Sequence, residues 1–113
     1  MRYLTIWRPS SGEEGGMPDP THMAHMGRLV DEMTAAGKLI NTEPLAARAN
    51  GARVRRSGGQ FMVSDEGGRA AGYAFLNAGS REEAIALCKQ FMDAAGDGEV
   101  ELRQVMEFAP QPV

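Results

Sequence analysis

The chain has 113 residues, of which 42% are apolar and 24% charged, the composition of one ordinary globular domain. Its 12 basic and 15 acidic side chains give a net charge of −3, which argues against a dedicated nucleic-acid or anionic-membrane binder. One cysteine excludes an internal disulfide, and one cysteine with two histidines excludes a four-ligand Cys/His zinc site. No apolar run approaches the ~20 residues of a membrane span, and no signal-peptide pattern occurs, so we expect a cytoplasmic protein with no membrane partner.

The first third of the chain predicts a strand, a loop and a helix. Residues 2–7 are β-favouring and apolar on both alternating faces, which is typical of a strand inside a sheet. Residues 8–20 hold three of the six prolines and no periodicity, so they predict a loop. Asp19 before Pro20 is an N-cap followed by proline at the first helical position, and the apolar residues beyond it recur at helical spacing. A helix is therefore predicted over 20–36.

The middle of the chain predicts four strands. Residues 38–46 form the first, in which Pro44 cannot donate a ladder hydrogen bond and so marks a sheet edge or a bulge. Residues 52–55 and 60–64 flank a Ser-Gly-Gly turn and predict a hairpin. A double glycine then interrupts the chain before a further predicted strand over 73–77.

The last third predicts a helix and a strand. Ser80 and Glu83 have the spacing of a capping box, and the apolar face behind them predicts a helix over 80–94. After a Gly-Asp-Gly turn, alternating apolar and charged residues predict a final amphipathic strand over 100–108.

Taken in chain order, these strands and helices predict an α+β fold in which two helices cover one face of an antiparallel sheet. We expect a single domain over residues 1–109 and a flexible tail over 110–113. The uncovered face is expected to carry Tyr3, Thr5 and Trp7 from the first strand and charged side chains from the last. Such a face is most simply covered by a second copy of the chain, so we predict a homodimer with a cavity between or beside its sheets.

Several short matches, in order along nearly the whole chain, carry a resemblance to a known family. Besides the opening strand, they are Ala35-Ala36-Gly37-Lys38-Leu39-Ile40, Glu43-x-Leu45, Val63-Ser64-Asp65, Gly72-Tyr73 and the strand from Glu99 to Glu107. On these residues the chain resembles the YCII-related proteins, in particular the branch named for an Asp-Gly-Pro-Phe motif. The resemblance implies a small ferredoxin-like protein of the dimeric α+β barrel type.

The resemblance also implies a candidate catalytic residue. Some relatives carry a histidine in a His-x-x-Arg-Leu helix context that forms an active site with an aspartate, and one is similar to dehydrochlorinases acting on chlorinated aromatic rings. His25 stands in that context here, followed by Arg28 and Leu29. The chain departs from the pattern twice, because Asp65 is followed by Glu-Gly-Gly instead of Gly-Pro-Phe, and Asp93 is followed by alanine instead of proline.

The two histidines are also candidates by their position on the first predicted helix. On a wheel of 100° per residue, His22 lies inside the apolar stripe and His25 on its margin, so both face or border the sheet. An imidazole titrates near neutrality, so His25 could act as a general base. The alternative is a pair of partly buried polar residues satisfied by backbone or water. As a metal pair the two lack a third ligand, so we expect no metal.

Four further polar residues have a functional and a structural interpretation. Asp65, before a double glycine, could aim a carboxylate into a cavity or simply form the turn. Glu43 could lie at a cavity mouth or be a solvated edge carboxylate. Arg53 and Arg55 share one strand face, so they could bind a carboxylate or phosphate, or form a charged edge that deters aggregation. Cys88 lies within the apolar stripe of the second helix, which favours a buried, inert thiol.

Two functions remain open from the sequence. The first is a cofactor-free enzyme with acid/base chemistry on a small hydrophobic or aromatic acid, in a cavity between the sheet and the histidine-bearing helix. The second is a non-catalytic module that binds a ligand or a protein. The motifs of nucleotide and hydrolase sites are missing, so we expect no cofactor. The catalytic candidates are His25 and Asp65, and the ligand-binding candidates are His22, Glu43, Arg53, Arg55, Tyr3 and Trp7.

Overall fold

The structure, a computed structural model, describes residues 1–10 and 20–107. Within them the predicted order of strands and helices is confirmed. The strands and helices are β1 (Arg2–Pro9), α1 (Pro20–Ala35), β2 (Leu39–Pro44), β3 (Arg53–Ser57), β4 (Gln60–Ser64), β5 (Gly72–Asn77), α2 (Arg81–Ala95) and β6 (Gly98–Gln104). A short 3-10 turn, Arg48–Asn50, precedes β3. In the described part of the chain, neither helix is long and apolar enough to cross a bilayer.

Four strands form an antiparallel sheet in the order β2-β5-β1-β6. The two helices cover one face of this sheet, which is the predicted ferredoxin-like α+β arrangement. The β3–β4 hairpin is a separate two-stranded sheet inserted between β2 and β5. As predicted from Pro44, β2 is an edge strand, and its register also shifts between Leu39 and Asn41.

The last strand is shorter than the predicted 100–108. Its final ladder residue is Gln104, which pairs with Tyr3, and the amide of Val105 then donates to the carbonyl of Arg2. Because β1 begins at Arg2, no strand within the described residues lies beside residues 105–107. Phe108, the predicted tail over 110–113 and the predicted cap Asp19 lie outside the described residues.

The helix-covered face holds the core and corrects one prediction. Tyr3 is only 4% exposed and Thr5 9%, and both lie under the helices. The expectation that Tyr3, Thr5 and Trp7 lie on the uncovered face is therefore wrong. Both alternating faces of β1 are apolar, so its pattern alone cannot orient the strand. The neighbouring strand β5 fixes the orientation of β1, because its residues Leu76 and Ala74 pair with Tyr3 and Thr5 and pack beneath the helices.

The uncovered face instead carries half-buried apolar residues surrounded by ion pairs. Its centre comprises Leu4 and Ile6 of β1, which pair with Phe75 and Tyr73 of β5. The two aromatic rings meet edge to face, with centroids 5.9 Å apart. The ion pairs are Arg2–Glu107, Arg8–Glu101 and Arg103–Glu101, at 2.8, 3.2 and 3.4 Å. The predicted placement of Glu101 and Arg103 on this face is confirmed by their pairing with Ile6 and Leu4.

The β3–β4 hairpin stands away from the sheet. Gly58 and Gly59 form its turn with φ of 57° and 81°, a conformation that side chains with a Cβ adopt poorly. All ten strand residues of the hairpin are exposed. Its base is held by Arg48, whose guanidinium donates to the carbonyl of Gly67 at 3.2 Å and lies 3.3 Å from the Glu66 carboxylate.

The start of α2 is fixed by a hydrogen-bonded cap. The Ser80 hydroxyl accepts from the amide of Glu83 at 3.1 Å, and the Glu83 carboxylate accepts from the amide of Gly79 at 2.9 Å. The same carboxylate accepts a hydrogen bond from the ammonium group of Lys38. The Lys38 hydrogen bond and then the Gly79 amide hold the pKa of Glu83 below its ordinary value. Farther along the helix Cys88 is buried as predicted, and burial raises its pKa.

Candidate ligand cavity

A cavity of about 1200 Å³ lies between the sheet and α1, where the sequence analysis expects one. Sites for small organic molecules measure roughly 300–1,000 Å³, so the space is ample for a ligand of that kind. Most of its lining is apolar. The apolar side chains come from α1, α2, the sheet and the segment that follows β2, and include Met23, Met26, Val30, Phe91, Leu45 and Val100.

The cavity exists because the core fills only one end of the space between helices and sheet. At the Tyr3 end, Met33 of α1 and Leu87 of α2 pack on the strands. Toward the other end, β5 contributes Gly72 and Ala74, which have almost no side chain. The volume above these two residues is bounded by the first three turns of α1 and the last turns of α2.

Trp7, the single tryptophan of the chain, lines the cavity at this end. Its indole lies directly against Gly98 at the start of β6. A Cβ at position 98 would stand 2.5 Å from Cη2 of Trp7 and 2.5 Å from the carbonyl oxygen of Arg8. Glycine at position 98 is thus required for this placement of the ring.

Two threonine hydroxyls line the floor of the cavity, one on each side of Ala74 in the sheet. Thr5 Oγ1 donates to the carbonyl of Ala74 at 3.1 Å, and Thr42 Oγ1 donates to the carbonyl of Tyr73 at 2.8 Å. A hydroxyl has a single proton, so each of these groups can only accept a further hydrogen bond.

The structure separates the two histidines. His22 is half-buried and lines the cavity, as its position within the apolar stripe predicts. His25 is exposed and is not among the lining residues, so its predicted approach to the sheet is wrong. The helix is rotated so that Met26 and Val30 face the sheet, which turns His25 toward solvent.

Three carboxyl residues, Asp31, Glu43 and Asp97, are exposed and border the cavity. The Glu43 carboxylate itself points to the uncovered face of the sheet, where it accepts a hydrogen bond from the hydroxyl of Tyr73 at 3.2 Å, and that hydroxyl accepts one from the side-chain amide of Asn41 at 3.1 Å. Among the described lining residues there is no lysine or arginine. His22 is therefore the one lining group of the described chain able to carry a positive charge.

The remaining candidates lie outside the cavity wall. Tyr3 belongs to the core. Asp65 follows β4 in an exposed segment, and Arg53 and Arg55 are exposed on one face of the hairpin, as their spacing predicts. Across residues 1–10 and 20–107, no group of three His, Cys, Asp or Glu side chains is placed to hold a metal ion.

No pattern in the sequence singles out the two threonines or Gly98 as cavity residues. Threonine is common in strands for its β-propensity alone, so Thr5 and Thr42 carry no signal of their own. Thr5 does share the alternation of Trp7, which would have placed both on the cavity side once the orientation of β1 was known. Gly98 is indistinguishable from turn glycine in the Gly-Asp-Gly run.

No protein-family model and no curated protein matches this chain.

Proposed function

We propose that this YCII-like chain binds a small, largely apolar organic molecule in the cavity between α1 and the sheet. The observation that supports this function is the cavity itself, about 1200 Å³ of space lined by Trp7 and by methionines of α1. Methionine is flexible and polarizable, so Met23 and Met26 can adapt to ligands of different shape. The resemblance to the YCII-related proteins rests on the motifs of the sequence and fits the ferredoxin-like strand order.

Gly27 offers a direct test of this function. It lines the cavity from the middle of α1, and a Cβ there would meet no atom within 4 Å. Leucine at this position places its side chain in the cavity, while replacing a helical glycine also stabilises the helix by about 0.5–1 kcal/mol. Loss of binding in Gly27→Leu would then not be attributable to unfolding.

The experiment is a titration with 1-aminoanthracene, an uncharged aromatic probe, followed through the emission of Trp7. We expect saturable binding to the unchanged chain and to Gly27→Ala, and binding at least about tenfold weaker in Gly27→Leu. Both variants should melt at or above the temperature of the unchanged chain. Equal binding by all three proteins, or no binding by any, would contradict the proposed function.

Acid/base catalysis in the same cavity is a second proposed function, and His22 favours it. An imidazole is the side chain best suited to proton transfer near neutral pH, and His22 lies in the wall beside any bound molecule. In this proposal His22 takes the role that the family resemblance implies for His25. His22→Gln, with His25→Gln as the matched control, tests it once a turnover substrate is found, because only the first should abolish turnover.

We also propose that the chain forms a homodimer through its uncovered sheet face. Leu4, Ile6, Tyr73 and Phe75 form an apolar centre, and the ion pairs around them form a polar rim, the usual anatomy of a protein interface. Light scattering should then give twice the 12.2 kDa mass of the chain. A mass of one chain at micromolar concentration would contradict the dimer.

A further inference from the structure

We infer that the ligand of this cavity is a hydrophobic amine, bound with its protonated nitrogen toward the threonine floor and the acidic border. This inference rests on the proposed function, because it assigns a chemical class to the ligand of the same cavity. It replaces the carboxylic acid that the sequence suggests through Arg53 and Arg55, since both arginines are exposed on the hairpin and not in the cavity wall.

The floor of the cavity is complementary to a ligand that donates hydrogen bonds. The hydroxyls of Thr5 and Thr42 donate to the carbonyls of Ala74 and Tyr73, respectively. The remaining lone pairs on each Oγ1 can therefore only accept hydrogen bonds. A carboxylate is itself an acceptor and finds no complement in these hydroxyls. An ammonium group carries three N–H donors and can donate to either threonine.

The border of the cavity has the charge that attracts a cation. Asp31 comes from α1 and Asp97 from the turn after α2, so two independent elements place carboxylates at the same cavity. Among the described lining residues no lysine or arginine offsets them. Against these described residues a bound anion would face like charges with His22 as the single counter-charge among them, whereas a bound amine faces opposite charges.

The orientation of α2 also favours a bound cation. The carboxyl end of α2 borders the cavity through Ala95 and Gly96, and the partial negative charge of a helix carboxyl end favours cations.

The test compares three probes with the same phenyl group and similar length: 4-phenylbutylamine, 4-phenylbutanol and 4-phenylbutyrate. Each displaces 1-aminoanthracene from the unchanged protein at neutral pH, with Trp7 emission as a second readout. We expect the amine to bind at least about tenfold more tightly than the acid, with the alcohol between them. Equal or tighter binding of the acid would overturn the amine and leave the cavity function standing. Failure of all three probes and of 1-aminoanthracene would overturn both.

Variants distinguish the contribution of the aspartate charges to amine binding from that of the threonine hydroxyls. Asp31→Asn with Asp97→Asn should weaken the amine about threefold or more and leave the alcohol unchanged, since only charge is removed. Glu99→Gln is the matched control, because Glu99 is exposed, pairs with Arg8 in the sheet and is not a lining residue. Thr5→Val, nearly identical in shape, should weaken the amine and the alcohol together. An amine affinity unchanged in all of these variants would overturn the inference.

Discussion

At the scale of single residues, Gly98 controls the position of Trp7 and so the shape of the cavity. A Cβ there would lie 2.5 Å from a backbone carbonyl and from the indole ring, so backbone or ring must move. We expect Gly98→Ala to lower the free energy of unfolding by about 1–3 kcal/mol, the usual cost of overpacking. It should also change the emission of Trp7 in the native protein.

Urea unfolding followed by tryptophan emission measures both effects of Gly98→Ala. Gly68→Ala is the matched control, because a Cβ at Gly68 would meet no atom within 4 Å and its backbone is not in the left-handed region. The control should keep the native emission and stay within about 0.5 kcal/mol of the unchanged chain. An unaltered midpoint and emission in Gly98→Ala would refute the close packing of Trp7 on Gly98.

Glu83 makes stability depend on pH at the start of α2. Its pKa is lowered in the folded protein by Lys38 and by the amide of Gly79, so the unfolded chain binds more protons at acidic pH. This contribution to stability is fully present above the ordinary value of 4.5 and is lost as the pH falls through the folded pKa.

We therefore expect Glu83→Gln to be less stable than the unchanged chain at neutral pH, with a difference that shrinks as the pH falls below 4.5. Urea midpoints measured across this range test the prediction. Glu82→Gln is the control, since Glu82 is the exposed neighbour in the same first turn. A stability difference that stays constant with pH would show that the charge of Glu83 makes no such contribution.

At the scale of secondary-structure elements, the β3–β4 hairpin is exposed on both faces. One face carries Val54, Val63 and Phe61, which are 67%, 63% and 68% exposed, with the guanidinium of Arg56 over the Phe61 ring. An isolated two-stranded hairpin is marginally stable in water. Its strands hold three arginines and no carboxylate, so with a whole-chain charge of −3 the rest of the chain carries −6. The rest of a second copy is therefore opposite in charge to this hairpin and complementary to it.

We propose that this hairpin face adds a second contact to the dimer formed through the uncovered sheet face, so Phe61→Ser should weaken self-association while leaving the thermal stability at high dilution unchanged. Sedimentation equilibrium over a range of concentrations measures the association, and calorimetry the stability. Gln60→Ser, at the opposite face of the same strand, is the control. Association unchanged in Phe61→Ser would exclude this hairpin face from the interface.

Most elements could be predicted from the sequence because their signals are local. Pro20, the Ser80–Glu83 cap and the Gly58–Gly59 turn each fix an end or a turn through nearby backbone geometry. The orientation of β1 and the rotation of α1 depend on which partner surfaces fit together, and no local pattern contains that information. For this reason the sequence pattern alone predicts Tyr3 and His25 on surfaces where they do not lie.

In the molecule as a whole, the two faces of the sheet carry different proposed functions. The helix-covered face holds the core at one end and the cavity at the other, and the uncovered face holds the apolar centre of the proposed dimer. Because alternate residues of β1 serve the two faces, a substitution at Trp7 should affect the cavity, and one at Ile6 the association. Ligand binding and self-association are therefore separable by mutation.

The proposed ligand binds between α1 and the sheet, where methionine methyl groups report its presence directly. Met23 and Met26 line the cavity, whereas Met62 on the hairpin is 60% exposed and Met106, beyond β6, 74%. The measurement is a titration of methyl-labelled protein with 1-aminoanthracene, followed by nuclear magnetic resonance. We predict saturable shifts of the Met23 and Met26 methyl signals, with those of Met62 and Met106 unmoved. Shifts confined to Met62 or Met106, or no shift at all, would contradict binding in this cavity.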